Sequence, residues 1–333
     1  MGYAAEKEQI QRKKKVIVWV IVGIITLLLI GLIIFESFYP ATSWKYYFSL
    51  PNVSARKAGE LRIHFLNVGQ GDCTLVELPD DKILMIDGGN GSETNDKRIM
   101  RYLNALEIDV IDYLVLTHAD GDHVGGLDTV LEYKTVKNVY YPNLDNPASS
   151  GEYAEFYEKL LDEKCKKFTS ERYITISSTK EKYPFTLAFL YPYSREAMAS
   201  EIGENDDSAV LWLDYQGVSA LFCGDASNVV ERRLMTDDKI GAFEPIGVKL
   251  FENTEILKVA HHGSADSTSI AFLEYLKVKT ATISVGEGNE YGHPAPEVLT
   301  ALSSLGIETL RTDENGTVML TVKDGKYTTK FIK

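Results

Sequence analysis

The sequence predicts an α/β chain built as an αββα sandwich, two sheets packed face to face with helices outside, behind one N-terminal transmembrane helix. Three observations predict it. Val16 to Phe35 is an uncharged run of 20 residues, the length of a helix that crosses a bilayer. Downstream, two stretches repeat one plan of hairpin, carboxylate, helix, strand and histidine. Five of the six histidines fall in three short polar motifs where strands end.

Composition narrows the class. The 333 residues are 44% hydrophobic and 25% charged, enough apolar material for a core and too much for a disordered or fibrous chain. With 35 Lys+Arg against 48 Asp+Glu the net charge is −13, which excludes nucleic-acid binding through bulk positive charge. Three cysteines are too few, and odd in number, for a disulfide framework. Cys73 and Cys223 read as small hydrophobes on core hairpins, and Cys165 as part of a solvated helix face.

Taken in order, residues 1–15 form a basic tail. Lys7, Arg12, Lys13, Lys14 and Lys15 precede the apolar run and only Lys45 follows it closely, so the tail should stay cytoplasmic and the rest face outward. Residues 16–36 are the expected anchor in the lipid bilayer of the cell membrane, crossed once. Phe35-Glu36-Ser37-Phe38-Tyr39 lacks a small-residue cleavage site, which favours an uncleaved anchor over a signal peptide. Residues 37–59 form an aromatic juxtamembrane linker, with Phe38, Tyr39, Trp44, Tyr46, Tyr47 and Phe48 suited to the headgroup layer. Residues 60–333 form one outward-facing catalytic domain.

Within that domain, Asp72–Leu78 and Ile83–Ile86 flank a Pro79-Asp80-Asp81-Lys82 turn, and the return strand ends at Asp87. An amphipathic helix through Ile99, Tyr102, Leu103 and Leu106 leads to strand Tyr113–Thr117, which ends at His118. The second half matches: Ser208–Leu213 and Val218–Cys223 form a hairpin ending at Gly224-Asp225, followed by a helix and by strand Ile256–Ala260, which ends at His261-His262. A helix over Tyr153–Lys167 and further strands fill the stretch to Ser200. Thr317–Val322 and Tyr327–Ile332 close the chain around an Asp324-Gly325 turn.

The segment His118-Ala119-Asp120-Gly121-Asp122-His123 packs four potential metal ligands into six residues directly after a hydrophobic strand. Carboxylates this close repel unless a cation or a shared proton intervenes. An exposed acidic turn would account for the aspartates but not for both histidines, nor for Asp225 and His261-His262 downstream. His64, alone in an alternating strand, reads as structural. Lys258 reads as a strand-surface residue, and Ser208 and Ser264 as capping or turn residues.

This segment resembles the HxHxDH signature of the metallo-β-lactamase superfamily, with Asp120 in place of the second histidine. Together with Asn67–Asp72, Ile86-Asp87-Gly88-Gly89, Asn205–Ser208, Gly224-Asp225, His261-His262-Gly263-Ser264 and Gly292-His293-Pro294, it is similar to the C-terminal hydrolase domain of the ComEC DNA-uptake family. The likeness covers residues 60–333 and leaves out that family's multi-span channel. It implies two divalent metal ions, Zn or Mn. His118 and Asp120 would hold the first, Asp122, His123 and His262 the second, with His261 the alternative to His262 and Asp225 bridging both. Asp87 would orient a ligand histidine, and His293 would serve catalysis by contacting a substrate oxygen or the leaving group. An oxygen-rich first site suits Mn²⁺ better than an all-imidazole one would.

The implied activity is a phosphodiesterase or nuclease that uses a dinuclear-metal-activated hydroxide, with a phosphodiester partner of which DNA is one candidate. The alternatives are hydrolysis of phosphodiester-linked cell-envelope material and a catalytically inactive metal-binding module. A di-iron oxidoreductase fits poorly, because the chain has no flavin-like segment. No protein partner can be read from the sequence.

Overall fold

A computed structural model describes residues 2–38, 41–142, 151–193, 204–250 and 254–333. The chain divides into two units, Met1–Phe48 and Ser49–Lys333. In the first, helix α1 (Gly2–Phe38) contains one stretch, Glu6–Ser37, long and apolar enough to cross a membrane, its 18-residue apolar window having a mean hydropathy of 3.2. Of the aromatic run that follows it, Tyr39 lies outside the described residues, and Tyr46 is buried within a short 3₁₀ turn, Ala41–Tyr46.

The second unit is built on two sheets. Strands β1 (Leu61–Phe65), β2 (Thr74–Glu77), β3 (Ile83–Ile86), β4 (Val110–Val115), β5 (Thr135–Tyr141), β6 (Lys166–Thr169), β14 (Thr317–Lys323) and β15 (Lys326–Ile332) form one, in the order β15-β14-β1-β2-β3-β4-β5-β6. The other runs β13-β12-β11-β10-β9-β8-β7. Its strands are β7 (Thr175–Ser177), β8 (Phe185–Tyr191), β9 (Val210–Tyr215), β10 (Val218–Phe222), β11 (Thr254–Lys258), β12 (Thr280–Ile283) and β13 (Glu308–Arg311).

The repeated plan holds in three dimensions. β2 and β3 form an antiparallel hairpin, helix α2 (Glu93–Ala105) follows, and β4 returns parallel to β3. Likewise β9 and β10 are antiparallel, helix α6 (Asn228–Lys239) follows, and β11 lies parallel to β10. A parallel return needs a crossover, and a helix is the compact way to make one. Both helices start on serine caps: Ser92 accepts from the Asn95 N–H and Ser227 from the Val229 N–H.

Apolar side chains from both sheets meet in one core that includes Ile63, Phe65, Val76, Phe189, Leu211 and Phe222. Outside the second sheet, α6, helix α7 (Ile270–Leu276) and helix α8 (Pro296–Ser304) bury Val230, Leu234, Phe272, Leu276, Val298 and Leu302 against β8–β12. At the closing hairpin, Lys323 pairs with Lys326 across Asp324 and Gly325, both with positive φ, as a primed two-residue turn demands.

Two local expectations differ from the structure. The helix expected over Tyr153–Lys167 is α5 (Glu152–Asp162), and Lys166–Thr169 pairs with β5 instead, so half-buried Cys165 lies between helix and strand rather than on a solvated helix face. The stretch to Ser200 is described only as far as Tyr193.

Candidate metal centre

The sheet ends bring the distant motifs together. Asp87 follows β3, Thr117-His118 follow β4, and the turn after them carries Asp120 before a short helix, α3 (Gly121–Val124), that bears Asp122 and His123 and leads into α4 (Leu127–Tyr133). From the other sheet, Asp225 follows β10 and His261-His262 follow β11. Asp225 is the meeting point. Its carboxylate lies 3.1 Å from His123 Nε2, 3.8 Å from His118 Nε2, and 3.7 Å from both His261 Nε2 and His262 Nε2. Asp122 stands 3.1 Å from His262 Nε2, and Asp120 stands 3.6 Å from His118 Nε2.

The outer nitrogens of the cluster's three buried imidazoles are all committed. His262 Nδ1 lies 2.9 Å from the Ser284 carbonyl, which can only accept, so Nδ1 carries a proton. His123 Nδ1 faces Asp87 at 2.8 Å. The Thr117 hydroxyl donates to Asp87 and is thereby left to accept from His118 Nδ1 at 3.1 Å. Neutral imidazoles held this way turn Nε2 lone pairs inward. Asp87, whose other oxygen accepts from the Thr117 N–H, is buried and held at a φ of 60°.

The donors fit a cation. His118 Nε2, His123 Nε2, His262 Nε2 and Asp225 Oδ1 are buried and make no hydrogen bond among the described residues, although some lie close enough. Orphaned polar atoms at such depth cost free energy unless a ligand satisfies them. Three further-reaching sets, His118–His123–Asp225, Asp122–His123–His262 and Asp72–Asp225–His262, each have donor atoms within 4.8 Å of one another. His261 and His262 adopt left-handed backbone, φ 49° and 52°, a conformation that costs energy outside glycine and clusters at functional sites.

Asp72, Lys258 and, as the acceptor for His118, Thr117 are residues that sequence reasoning missed. Asp72 Oδ1 lies 3.2 Å from His262 Nδ1, and its Oδ2 meets Lys258 Nζ at 2.6 Å. Lys258, expected on a strand surface, is only 2% exposed. It sits in a strand with parallel neighbours on both sides, where both faces are covered, and it also donates to the Val259 carbonyl. Gly71 lets this loop dock, because a Cβ there would meet the Asp122 carbonyl at 2.4 Å.

His293 stands at the rim, its ring 5.4 Å from that of His261 and 6.4 Å from that of His262. Asn289 clamps its loop by accepting from the His293 N–H and donating to the His293 carbonyl. Partial burial and the neighbouring His261 and His262 lower its pKa. His64 is remote from the cluster, buried between the Tyr102 hydroxyl and Glu77.

Without a cation the carboxylates draw protons onto the imidazoles. Burial opposes a charged His262, but Asp225 and Asp72 outweigh it and push its pKa up to about 10. Burial opposes a charged His123 too, and Asp225 with Asp87 again prevail, holding it well above its ordinary value. Burial raises the Asp225 carboxyl, whereas His123 and His262 carry it well below the carboxylate range. A metal taking this place must displace at least the His262 proton, so affinity rises with pH up to about 10. Each released proton is worth about tenfold per pH unit, giving at least about 100-fold between pH 6.5 and 8.5. Calorimetry in buffers of different ionisation enthalpy reads the released proton, and a flat affinity would contradict the assignment.

An αββα sandwich with a buried His/Asp cluster at its strand ends defines a class, the metal-dependent hydrolases. The model of the metallo-beta-lactamase superfamily matches residues 66–287, and the chain belongs to that superfamily. Among its relatives, ComE operon protein 3 of Bacillus subtilis (strain 168) is 30% identical over 285 residues, covering 80% of this chain and 34% of that protein. Competence protein ComA of Neisseria gonorrhoeae is 30% identical over 260 residues, covering 77% of this chain and 32% of that one. The chain thus spans about a third of the length of these curated relatives. A solved structure, the CmlA beta-hydroxylase E377D mutant, shares the fold at a TM-score of 0.50 and 14% identity, covering 80% of this chain and 54% of that one.

Proposed function

We propose that residues 60–333 are a phosphodiesterase dependent on two divalent ions, Zn or Mn, tethered by residues 16–36 and facing outward beyond the 37–59 linker, with the 1–15 tail cytoplasmic. The observation that carries this is the set of buried, unsatisfied donors from both sheets aimed at Asp225. His118 and Asp120 would hold one ion, Asp122, His123 and His262 the other, and Asp225 both; His261, also 3.7 Å from Asp225, is the alternative to His262. Bound ions supply Lewis acidity and an acidified water at neutral pH.

The chain's own residues do the remainder. Asp87 and the Ser284 carbonyl hold the Nδ1 protons of His123 and His262, fixing both rings. Asp120 caps no backbone N–H with its side chain, which leaves its carboxylate for the site. His293 at the rim would hydrogen-bond a non-bridging phosphate oxygen or protonate the leaving alkoxide. Burial of His118, His123, His262 and Asp225 keeps bulk water from these groups and strengthens every charge interaction among them.

Elemental analysis of the full chain in detergent, followed by assays on bis-(p-nitrophenyl) phosphate and plasmid DNA with Mn²⁺ or Zn²⁺, tests the proposal. Stoichiometric metal and ester cleavage are expected. Cleavage of the small ester but not of DNA would remove the nuclease version and point to other phosphodiesters. A protein without stoichiometric metal would be a binding module.

A further inference from the structure

Away from the His/Asp cluster, the second unit has a cavity of about 400 Å³ with mixed polar and apolar walls. Asn67 after β1, Arg98, Arg101 and Tyr102 on α2, Thr317 on β14, and Lys333 contribute to its walls. Among the described residues, no aspartate or glutamate side chain lines it, in a chain with 48 of them against 35 Lys+Arg. Arg98 and Arg101 stand three residues apart, on one face of α2. The floor is fixed: the Tyr102 hydroxyl lies 2.9 Å from His64 Nδ1, and the Asn67 N–H donates to Thr317 Oγ1 at 2.9 Å.

Strand register puts this cavity at the sheet end that carries the metal cluster. Phe65 pairs with Val318 and Thr74, and Thr74 pairs with Ile86, the residue before Asp87. The loop from Asn67 runs directly into Asp72, and Arg98 Nη1 lies 3.4 Å from where a Gly69 Cβ would stand. Three peptide units of about 3.8 Å separate Gly69 from Asp72, so the guanidinium lies within roughly 16 Å of the Asp72 backbone. An extended phosphodiester chain, with a charge every ~3.4 Å or more along one strand, places only a few phosphates in that span.

We propose that Arg98 and Arg101 form a phosphate subsite that grips a phosphodiester polymer at a phosphate away from the cleaved bond, a proposal that rests on the phosphodiesterase reading. Guanidinium suits this task because it meets phosphate with paired, charge-assisted hydrogen bonds. The subsite reconciles an acidic protein with a polyanionic substrate, since attraction is needed only along the path to the cluster. It recognises the second phosphate itself, a chemistry that nucleic acid and poly(glycerol phosphate) share.

The test compares the full chain in detergent with Arg98→Gln/Arg101→Gln and Arg98→Lys/Arg101→Lys variants. Substrates are bis-(p-nitrophenyl) phosphate, a ten-nucleotide oligothymidylate and poly(glycerol phosphate). On the polymer that is cleaved, kcat/KM should fall at least tenfold in the glutamine variant and recover in part in the lysine variant, while the small ester changes less than twofold. Oligothymidylate and poly(glycerol phosphate) binding in EDTA, followed across salt concentration, should lose slope by about 0.7 for each phosphate contact removed. Equal loss on small ester and polymer, or no loss on either, overturns the subsite. If the unaltered protein cleaves no diester, the phosphodiesterase reading falls by itself. The binding arm then decides the subsite: weaker, less salt-sensitive binding in the glutamine variant supports it, and unchanged binding overturns it.

Discussion

Asp225→Asn should leave a folded protein that has lost hydrolysis. The amide has the carboxylate's shape, and the backbone N–H of residue 225 keeps its bond to Ser208 Oγ, so packing has little reason to change. The charge is what disappears, and it faces His118, His123, His261 and His262 at 3.1 to 3.8 Å. Loss of the shared anionic donor should cut metal content and remove several kcal/mol of transition-state stabilisation, about 1,000-fold in rate. Metal analysis beside ester turnover reads both. Full metal content with turnover within tenfold of the unaltered protein would mean that Asp225 is no ligand.

Lys258→Met should be the most destabilising single change at the site. It strands the Asp72 carboxylate, 4% exposed, without its 2.6 Å partner. Breaking a buried pair from one side costs about 3–5 kcal/mol, whereas removing both members is far milder. The melting temperature should fall by roughly 10 °C, and Asp72→Asn added to Lys258→Met should restore much of it. The pH dependence follows from Asp72. Burial raises its carboxyl, but Lys258 and His262 outweigh burial and hold it far below the usual range. A depressed carboxyl stabilises the fold above its unfolded value, and that contribution is lost as pH falls through the folded value. The variant's deficit should therefore be largest near neutrality and shrink in acid. Thermal melts at pH 7 and at about pH 2.5, below the ordinary carboxylate value, check this, and a deficit under about 1 kcal/mol at pH 7 would show the pair to be dispensable.

These two residues also mark how far the sequence could be read. Asp225 was visible because it stands at a strand tip beside glycine, in the same place in its half as Asp87 in the other. The hairpin, helix and strand order was legible for the same reason: alternation, a serine cap and an apolar helical stripe are local signals. Lys258 was not. A lysine in a strand reads as solvent-facing, and what reverses that is covering of both sheet faces together with an acid 186 positions away. Thr117 was equally silent, since its role depends on Asp87 having already engaged its hydroxyl proton. Helix α5 ended early because Lys166–Thr169 has a strand partner in β5, a non-local fact that helical spacing does not carry.

The aromatic contact of Phe65 with Phe222, 6.3 Å between ring centres, joins β1 of one sheet to β10 of the other. Neither slab owns a whole grip on the ions proposed above: one brings His118 and His123, the other Asp225 and His262. The spacing of that grip is therefore calibrated by greasy filling several residues away. Shaving or swelling that filling would slide one slab over its mate and detune reactivity without touching any group that does chemistry.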